Sequence, residues 1–556
     1  MLIGIDVGGT FTDGVLFHDG EIVRSVKKPT EEANLKNSLL QVLDELMDKD
    51  DTAEIKRIVL STTLVTNLLA TGRGEKTALV MLPGYGLPHD SYDITEDIYF
   101  LKGAVDFRGR EIEPPDNKEI DMLLDWIKSS GVSRIAVASK FSNRNNVHEK
   151  LIKKRILEEC DGVYVSISSE ISGKLNFPRR AATSYFTAMT INPWNRFVDE
   201  IEEALKIRGL ETEVHVLKAD GGTIPLQTSR SKPCETVFSG PAASTMGGLA
   251  LTRDDLNSVV VDVGGTTTDL SLIIAGEPLY ASRGAIIGQQ LTHVNSFAVR
   301  SIPLGGDSVI TTEGVQPYRL GPAACFGGEK PTVTDAFNLH LHLNLGDVSR
   351  SAISMGEIAS QQQMDTDQLC SQIVADVSQR LFSAVSEMFM QWENEPAYKV
   401  WEVINQRKFT LDRIIGIGAA APAMVPALAE LMKVQSFLHS YSPVANALGA
   451  SVVRPTLTVV LHADTQSKKY TLDPGGKIGE LEKPKNFQLN HAKDMALQHL
   501  LTVGHELGME DYTADCEFFL EEQFNMIRGW DRVGKLFEVG IQVAPGFINE
   551  FKGVKI

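Results

Sequence analysis

Short apolar runs alternate with amphipathic stretches along most of the chain, the rhythm of strands and helices in βα units. Leu2-Ile3-Gly4-Ile5 and Gly14-Val15-Leu16-Phe17 flank a polar, glycine-containing turn and predict a hairpin at the start. Apolar residues at Leu35, Leu39, Val42, Leu43 and Leu46 predict a helix over Asn34–Met47. Next come strands at Ile58–Leu60 and Thr77–Met81, then a loop over 83–118 rich in Pro, Gly and Asp. Helix Met122–Ser129, strand Arg134–Ala138, helix Asn146–Glu158 and strand Val163–Ser166 continue the alternation. Beyond them the pattern predicts helices at Ala181–Ala188 and Asn195–Lys206, strand Glu213–Leu217 and a helix opening at Gly240-Pro241. A second hairpin is expected around Val259-Val260-Val261 and Leu270–Ile274, and a strand at Phe297–Ile302. A long helix, Asp365–Glu393, follows. After Arg454-Pro455 the texture changes: Leu457–Leu461 and Lys468–Leu472 suggest a hairpin, and Leu536–Val543 alternates as a strand.

A chain of 556 residues, 43% hydrophobic with 46 glycines, reads as three or four domains, each able to bury a core. The net charge of −18 comes without a basic stripe, which argues against nucleic acid or an anionic membrane as partner. No apolar run approaches the ~18–20 residues of a membrane span. The N-terminus enters a strand directly, so no signal peptide is expected. Cys160, Cys234, Cys325, Cys370 and Cys516 form no C-x-x-C pair, and a reducing cytoplasm is the expected location.

The chemistry-bearing feature is an octapeptide present twice. Asp6-Val7-Gly8-Gly9-Thr10-Phe11-Thr12-Asp13 fills the first hairpin turn, and Asp262-Val263-Gly264-Gly265-Thr266-Thr267-Thr268-Asp269 fills the second. Glycines without Cβ atoms let backbone N–H groups approach an anion, and the threonines add hydroxyl donors. Asp6 and Asp262, at their strand ends, are placed to hold a divalent cation through water, as Mg²⁺ prefers. Two such loops facing each other would clamp a polyphosphate. No Gly-Lys-Ser/Thr follows, which excludes a P-loop, and a strand follows the glycines, which excludes a dinucleotide fingerprint.

The paired hairpins resemble the two phosphate motifs of the actin/sugar kinase/Hsp70 ATPase superfamily. Ile415-Gly416-Ile417-Gly418-Ala419-Ala420-Ala421-Pro422 resembles its adenosine motif, and Ala445–Val452 its last connecting helix. Within the superfamily, the opening motif is similar to that of the hydantoinase A/5-oxoprolinase family. So are Ser61–Asn67, Phe238–Ala243 and Pro331–Ala336. The resemblance implies an α/β fold of two actin-like (ribonuclease H-like) lobes with a nucleotide cleft between them, plus a small C-terminal region. The expected bounds are 1–178, 179–455 and 456–556.

It implies ATP and Mg²⁺ as cofactors, with Asp6 and Asp262 as catalytic and metal-holding residues. The nucleotide is expected on Gly8, Gly9, Thr10, Thr12, Asp13, Gly264, Gly265, Thr266, Thr267, Asp269, Gly305, Gly306, Gly416, Gly418 and Ala419. The implied activity is an ATP-dependent hydrolase that phosphorylates a carbonyl of a small cyclic amide or imide for ring opening. A B-type hydantoinase subunit is a possible partner, and an oligomer is expected. The alternatives are a small-molecule kinase or carboxylase subunit acting on a ketone, and a nucleotide-switched protein-binding ATPase.

Other spots keep two readings. Leu304-Gly305-Gly306-Asp307-Ser308 reads as a ligand loop opening a helix or as a plain turn with N-caps. Lys218-Ala219-Asp220-Gly221-Gly222-Thr223 is a strand-end turn that resembles a family Asn-Gly-Gly segment, with Asp in place of Asn. Arg179-Arg180-Ala181-Ala182-Thr183 resembles a family Glu-Arg-x-x-Thr segment, with Arg in place of the acid. His340 and His342 read as a metal pair or a structural pair, and Cys325 as a nucleophile or packing.

Overall fold

The computed structural model describes residues 1–31, 34–47, 54–394 and 410–555. Its first lobe is built on a six-stranded sheet. Strands Leu2–Val7, Phe11–His18 and Glu21–Pro29 form an antiparallel meander, and Arg57–Thr62 and Glu213–Leu217 add in parallel beside Leu2–Val7. Thr223–Pro225 closes the edge. The strands buried on both faces read as continuous apolar runs, as Leu2–Val7 and Arg57–Thr62 do. A four-stranded parallel sheet (Tyr164–Ile167, Arg134–Ser139, Thr77–Leu82, Ile98–Phe100), with helices Asn117–Ser130 and Val147–Glu159, extends this lobe.

The predicted loop 83–118 holds short strands at Ile98–Phe100, Ala104–Val105 and Glu111–Glu113 and the start of helix Asn117–Ser130. Runs this short carry no periodicity to read.

The two helices predicted at Ala181–Ala188 and Asn195–Lys206 are one helix, Phe177–Ile207, which runs through Pro193. Proline removes the N–H that would bond Met189 O. That carbonyl instead accepts from Glu75 N at 3.1 Å, so the interruption is satisfied from outside the helix. Residues 179–238, expected in the second lobe, build on the first. The helix packs into the first lobe's core, and both following strands join its sheet.

The chain crosses to the second lobe with helix Ser239–Thr252. There strands Ser258–Val263 and Thr268–Ile274 form the second hairpin, and Arg413–Ile417 lies parallel beside the first of them. Helices Val333–His340, Val348–Gln361, Thr366–Glu393 and Ala421–Met432 cover this sheet. Residues 457–543 form a five-stranded antiparallel sheet, in which Leu457–Asp464 pairs with Lys469–Asp473 and with Asp531–Val543. Helix Leu489–Glu506 buries its Ala492, Ala496 and Leu500 stripe against that sheet.

The lobes meet through small residues. Helix Ala445–Val452 lies against helix Ser239–Thr252 so closely that a Cβ on Gly449 would strike Ala243 O and Gly247 N. On its other side Gly4 of the first strand faces Ala447 O and Ser451. Gly449→Ala therefore tests the crossing with a definite sign. Helix propensity alone predicts a gain of about 1 kcal/mol. Overpacking against fixed backbone predicts a loss of about 1–3 kcal/mol. The expected outcome is the loss, read as a lower thermal unfolding midpoint; an unchanged or raised midpoint would refute the close crossing.

Candidate active site

Each hairpin turn is closed in the same way. Gly8 N donates to Phe11 O at 3.1 Å, and Gly264 N donates to Thr267 O at 3.0 Å. Because cross-strand partners point to the same face, Asp6 stands beside Asp13 and Asp262 beside Asp269. The two turns face each other across the cleft: Thr10 Oγ1 and Thr266 Oγ1 are 3.4 Å apart. Gly9 is exposed at its tip with nothing near the position of a Cβ.

Asn446, on the interlobe helix Ala445–Val452, ties the halves together. Its Nδ2 donates to Asp6 Oδ2 (3.3 Å) and to Asp262 Oδ2 (3.0 Å). Ser244 Oγ also donates to Asp262 Oδ2. Lys27, on the third strand, reaches Asp13 Oδ1 at 2.6 Å and Pro443 O at 3.2 Å. The residue pattern gave Asn446 only a packing role and did not single out Lys27 or Ser244. Asn446 lies far in sequence from both carboxylates, so no local spacing encodes its contacts, whereas Lys27 is the cross-strand neighbour of Asp13 and Ser244 sits on the helix just before the second hairpin.

The cleft floor gathers more negative charge than Lys27 offsets. Asp6 is 4% exposed. Burial pushes its carboxyl upward, against the pull of Ser61, Asn446 and Lys27. Burial raises Asp13 to about 6 despite Lys27, and burial and then Asp262 raise Asp269 to about 7. Asp6 Oδ1 is buried without a hydrogen-bond partner. Such an oxygen in an acidic cluster suits a cation. Among the described residues no group of three or more His, Cys, Asp or Glu could hold a metal ion. Carboxylate oxygens such as those of Asp6 and Asp262 are the donors a hard cation takes alongside water and phosphate oxygens.

Several residues predicted to touch nucleotide have other duties. Thr12 is buried, with its hydroxyl 3.0 Å from Thr30 Oγ1. Gly305 N donates to Ser308 Oγ (2.9 Å), Gly306 N to Gly264 O (2.9 Å) and Asp307 N to Gly265 O (2.8 Å). The N–H groups of Gly306 and Asp307 brace the second hairpin from behind, and that of Gly305 closes its own turn. No helix opens there; Ser308–Thr311 is a strand, and Asp307 pairs with Arg319 at 3.0 Å. Gly416 lies mid-strand, directed at Leu438 and at the buried Val425 and Ala421 of the covering helix. Gly418 turns toward the cleft with φ +88°, where a Cβ would meet Val263 O and Asp262 Oδ1. Ala419 is exposed beside it, as are Gly264 and Thr267, with Gly265 and Thr266 partly buried.

His340 ends helix Val333–His340, and it and His342 are exposed. Cys325 is buried, its thiol pushed up to about 11 by burial. Asp335 lies beneath it and accepts from Ala324 N, Cys325 N and Ser351 Oγ. The arrangement is structural, and the thiol is a poor nucleophile.

Residues 2–160 match the hydantoinase/oxoprolinase N-terminal region, and residues 180–458 match the hydantoinase/oxoprolinase domain. The chain belongs to the hydantoinase/oxoprolinase family. This family member is 25% identical over 410 residues to the caprolactamase subunit alpha of Pseudomonas jessenii, covering 67% of this chain and 58% of that one. It is 25% identical over 526 residues to 5-oxoprolinase of Saccharomyces cerevisiae, covering 80% of this chain and 40% of that one. The aligned part thus spans little more than half of one relative and less than half of the other. In fold it is similar to nucleotide-free acetone carboxylase, with a TM-score of 0.70 at 16% identity over 100% of this chain and 88% of that one. Among the described residues no helix is long and apolar enough to cross a membrane.

The raised carboxyls give the metal-free protein a signed pH dependence. Folded Asp269 keeps its proton to about 7, whereas an unfolded Asp releases it near ~3.9. The folded chain binds the extra proton in that window, so stability is greatest at its acid end and falls as pH rises through it. Asp269→Asn should flatten the fall in thermal midpoint between about pH 5 and about pH 8. A variant with the wild-type slope would show that Asp269 titrates normally.

Proposed function

We propose that this chain is an ATP-dependent hydrolase that activates a carbonyl of a small cyclic amide or imide by phosphorylation. The observation that carries the reading is the pair of opposed hairpins, each ending in a buried or half-buried Asp, bridged by one asparagine. The glycine tips and Thr10 and Thr266 offer donors to the phosphates. Gly418 and Ala419 leave room for the nucleoside. Asp6 and Asp262 are the residues that would hold Mg²⁺, which when bound neutralises charge on the β- and γ-phosphates.

The balance of the reaction is simple. The amide oxygen attacks the γ-phosphorus while the bond to the ADP oxygen breaks. Phosphorylation makes the ring carbon electrophilic, so water adds there and the ring nitrogen leaves as the amine, opening the ring to an acyl phosphate; a second water then displaces phosphate to leave the carboxylate. The chain's part is positioning and charge: it clamps the polyphosphate between lobes and excludes water as they close.

The relative from Pseudomonas jessenii is named a subunit alpha, and acetone carboxylase carries out an ATP-dependent carboxylation of acetone. The first supports a partner subunit of the B type that completes the chemistry after phosphorylation. The same first step on a ketone oxygen is the second reading; a product that retains carbon from bicarbonate would favour it.

Asp6→Asn and Asp262→Asn should each reduce Mg-ATP turnover at least about a hundredfold, the scale of losing an electrostatic contact to transferring phosphate. The fold should persist, because each amide can still meet Asn446. Calorimetry showing wild-type Mg-ATP affinity and turnover in both variants would overturn the two-hairpin clamp.

The isolated chain is expected to hydrolyse ATP slowly and to gain about tenfold or more with acceptor, partner subunit or both, since closure draws on acceptor binding energy. The check is an ATPase screen over hydantoins, lactams, 5-oxoproline and ketones, with and without the B-type subunit. Rapid hydrolysis without any acceptor would instead favour a protein-directed nucleotide switch.

A further inference from the structure

Outside the hairpin cleft lies a second polar cavity, of about 120 Å³, where three parts of the chain meet. The stretch Ile171–Lys174 and helix Phe177–Ile207 form one wall, and the turn after strand Glu213–Leu217 forms another. Residues Thr456–Thr458 and Asp473 of the C-terminal region close it. Two segments that the nucleotide site leaves unexplained, Lys218–Thr223 and Arg179–Thr183, therefore converge here.

Lys218 and Asp220 are 8% and 7% exposed and lie 3.1 Å apart. Lys218 Nζ donates to Thr456 O (3.3 Å), and Thr456 Oγ1 donates to Asp220 Oδ2 (2.9 Å). This pair is a bolt between the first lobe and the C-terminal sheet, with its charges already matched. The opposite side is different. Lys174 Nζ donates to the neutral Asn295 Oδ1 at 2.9 Å, and an ammonium has three donors. His293 Nδ1 lies 2.8 Å from Ser172 Oγ, and the ring also bonds the Leu175 backbone. Burial, and then Lys174, pushes His293 down to about 3, so the ring is neutral. Asp473 lines the same space; burial raises its carboxyl against Gly173 N and Lys174.

The cavity thus offers a donor (Lys174) and an acceptor (Asp473), with their charges balanced and Leu457, Val460 and Ile224 as apolar lining. That is the complement of an uncharged amide, whose carbonyl accepts and whose N–H donates. A cavity of about 150 Å³ holds benzene, so this somewhat smaller one favours a five- or six-membered ring over a seven-membered one. Its mouth is at the carboxyl end of strand Glu213–Leu217, two strands from Leu2–Val7 in the same sheet. At ~4.8 Å per strand the turn that lines the cavity lies about 10 Å from the first hairpin along the same sheet.

We propose that this cavity is the acceptor site of the reaction proposed above, taking a five- or six-membered cyclic amide between Lys174 and Asp473, with residues 456–474 as its outer wall. The assignment rests on that functional reading. The test is calorimetric titration of the full chain, loaded with Mg²⁺ and a non-hydrolysable ATP analogue, using 2-pyrrolidinone, hydantoin and ε-caprolactam as probes. The smaller rings should bind, with ε-caprolactam at least about tenfold weaker. Lys174→Met and Asp473→Asn should each weaken binding of the smaller rings at least about tenfold, the worth of one hydrogen bond to a charged group. Analogue affinity, which reports the intact nucleotide site, should stay within about twofold. Lys174→Met decides alone if Asp473→Asn does not fold. Small rings that bind both variants as they bind wild type overturn the cavity assignment and leave the hydrolase reading standing. Equal binding of ε-caprolactam overturns the size limit. Failure of every cyclic amide to bind or to stimulate ATP turnover in wild type overturns both readings.

Discussion

The structure depends on how closely two helices pass behind the hairpins. Ser239–Thr252 belongs to the crossing between lobes, and Ala445–Val452 returns from the second lobe to lie on it and on the first strand. Only small residues permit this: Gly247 and Gly449 at the helix crossing, and Gly4 where the returning helix meets the sheet. The reward is that one side chain, Asn446, reaches both Asp6 and Asp262. A wider crossing would separate the carboxylates and open the distance between Thr10 and Thr266. Small residues in these helices therefore set the width of a polyphosphate clamp made of residues far from them in sequence.

That geometry also explains why the acidic floor is tolerable. Asp6, Asp13, Asp262 and Asp269 are brought together with Lys27 as the neighbouring cation. Burying like charges is unfavourable unless protons or cations compensate. Burial raises the carboxyls of Asp6, Asp13 and Asp269, which favours their holding protons. A divalent cation carried in with a polyphosphate would replace those protons, so binding and proton release would be linked.

Much of this was legible in the sequence, and the exceptions have physical causes. The repeated octapeptide announces itself because the turn chemistry is local: the glycines, threonines and leading Asp all act within eight positions. Helix Leu35–Leu46 and strand Glu213–Leu217 were readable from period alone. The continuous helix Phe177–Ile207 was not, because its tolerance of Pro193 comes from Glu75, more than a hundred positions away. Gly305 and Gly306 look like ligand glycines in sequence, yet the N–H of Gly306 is taken by Gly264 O of the hairpin and that of Gly305 by Ser308 Oγ in its own turn. A glycine motif states that backbone must come close; it does not state to what.

The C-terminal region shows the same limit most sharply. Its alternation predicts strands, and strands form, but nothing local connects Thr456 or Asp473 to chemistry. Their significance appears only when the fold sets them against Lys218, Asp220 and Lys174. The C-terminal sheet meets the first lobe at several separate points: Thr456 with Lys218 and Asp220, Gln466 with Arg108, and Thr471 with Arg144. On the reading proposed above, this wall comes from a sheet that takes no part in the two hairpins, so the acceptor side of the reaction can change while the phosphate side stays fixed.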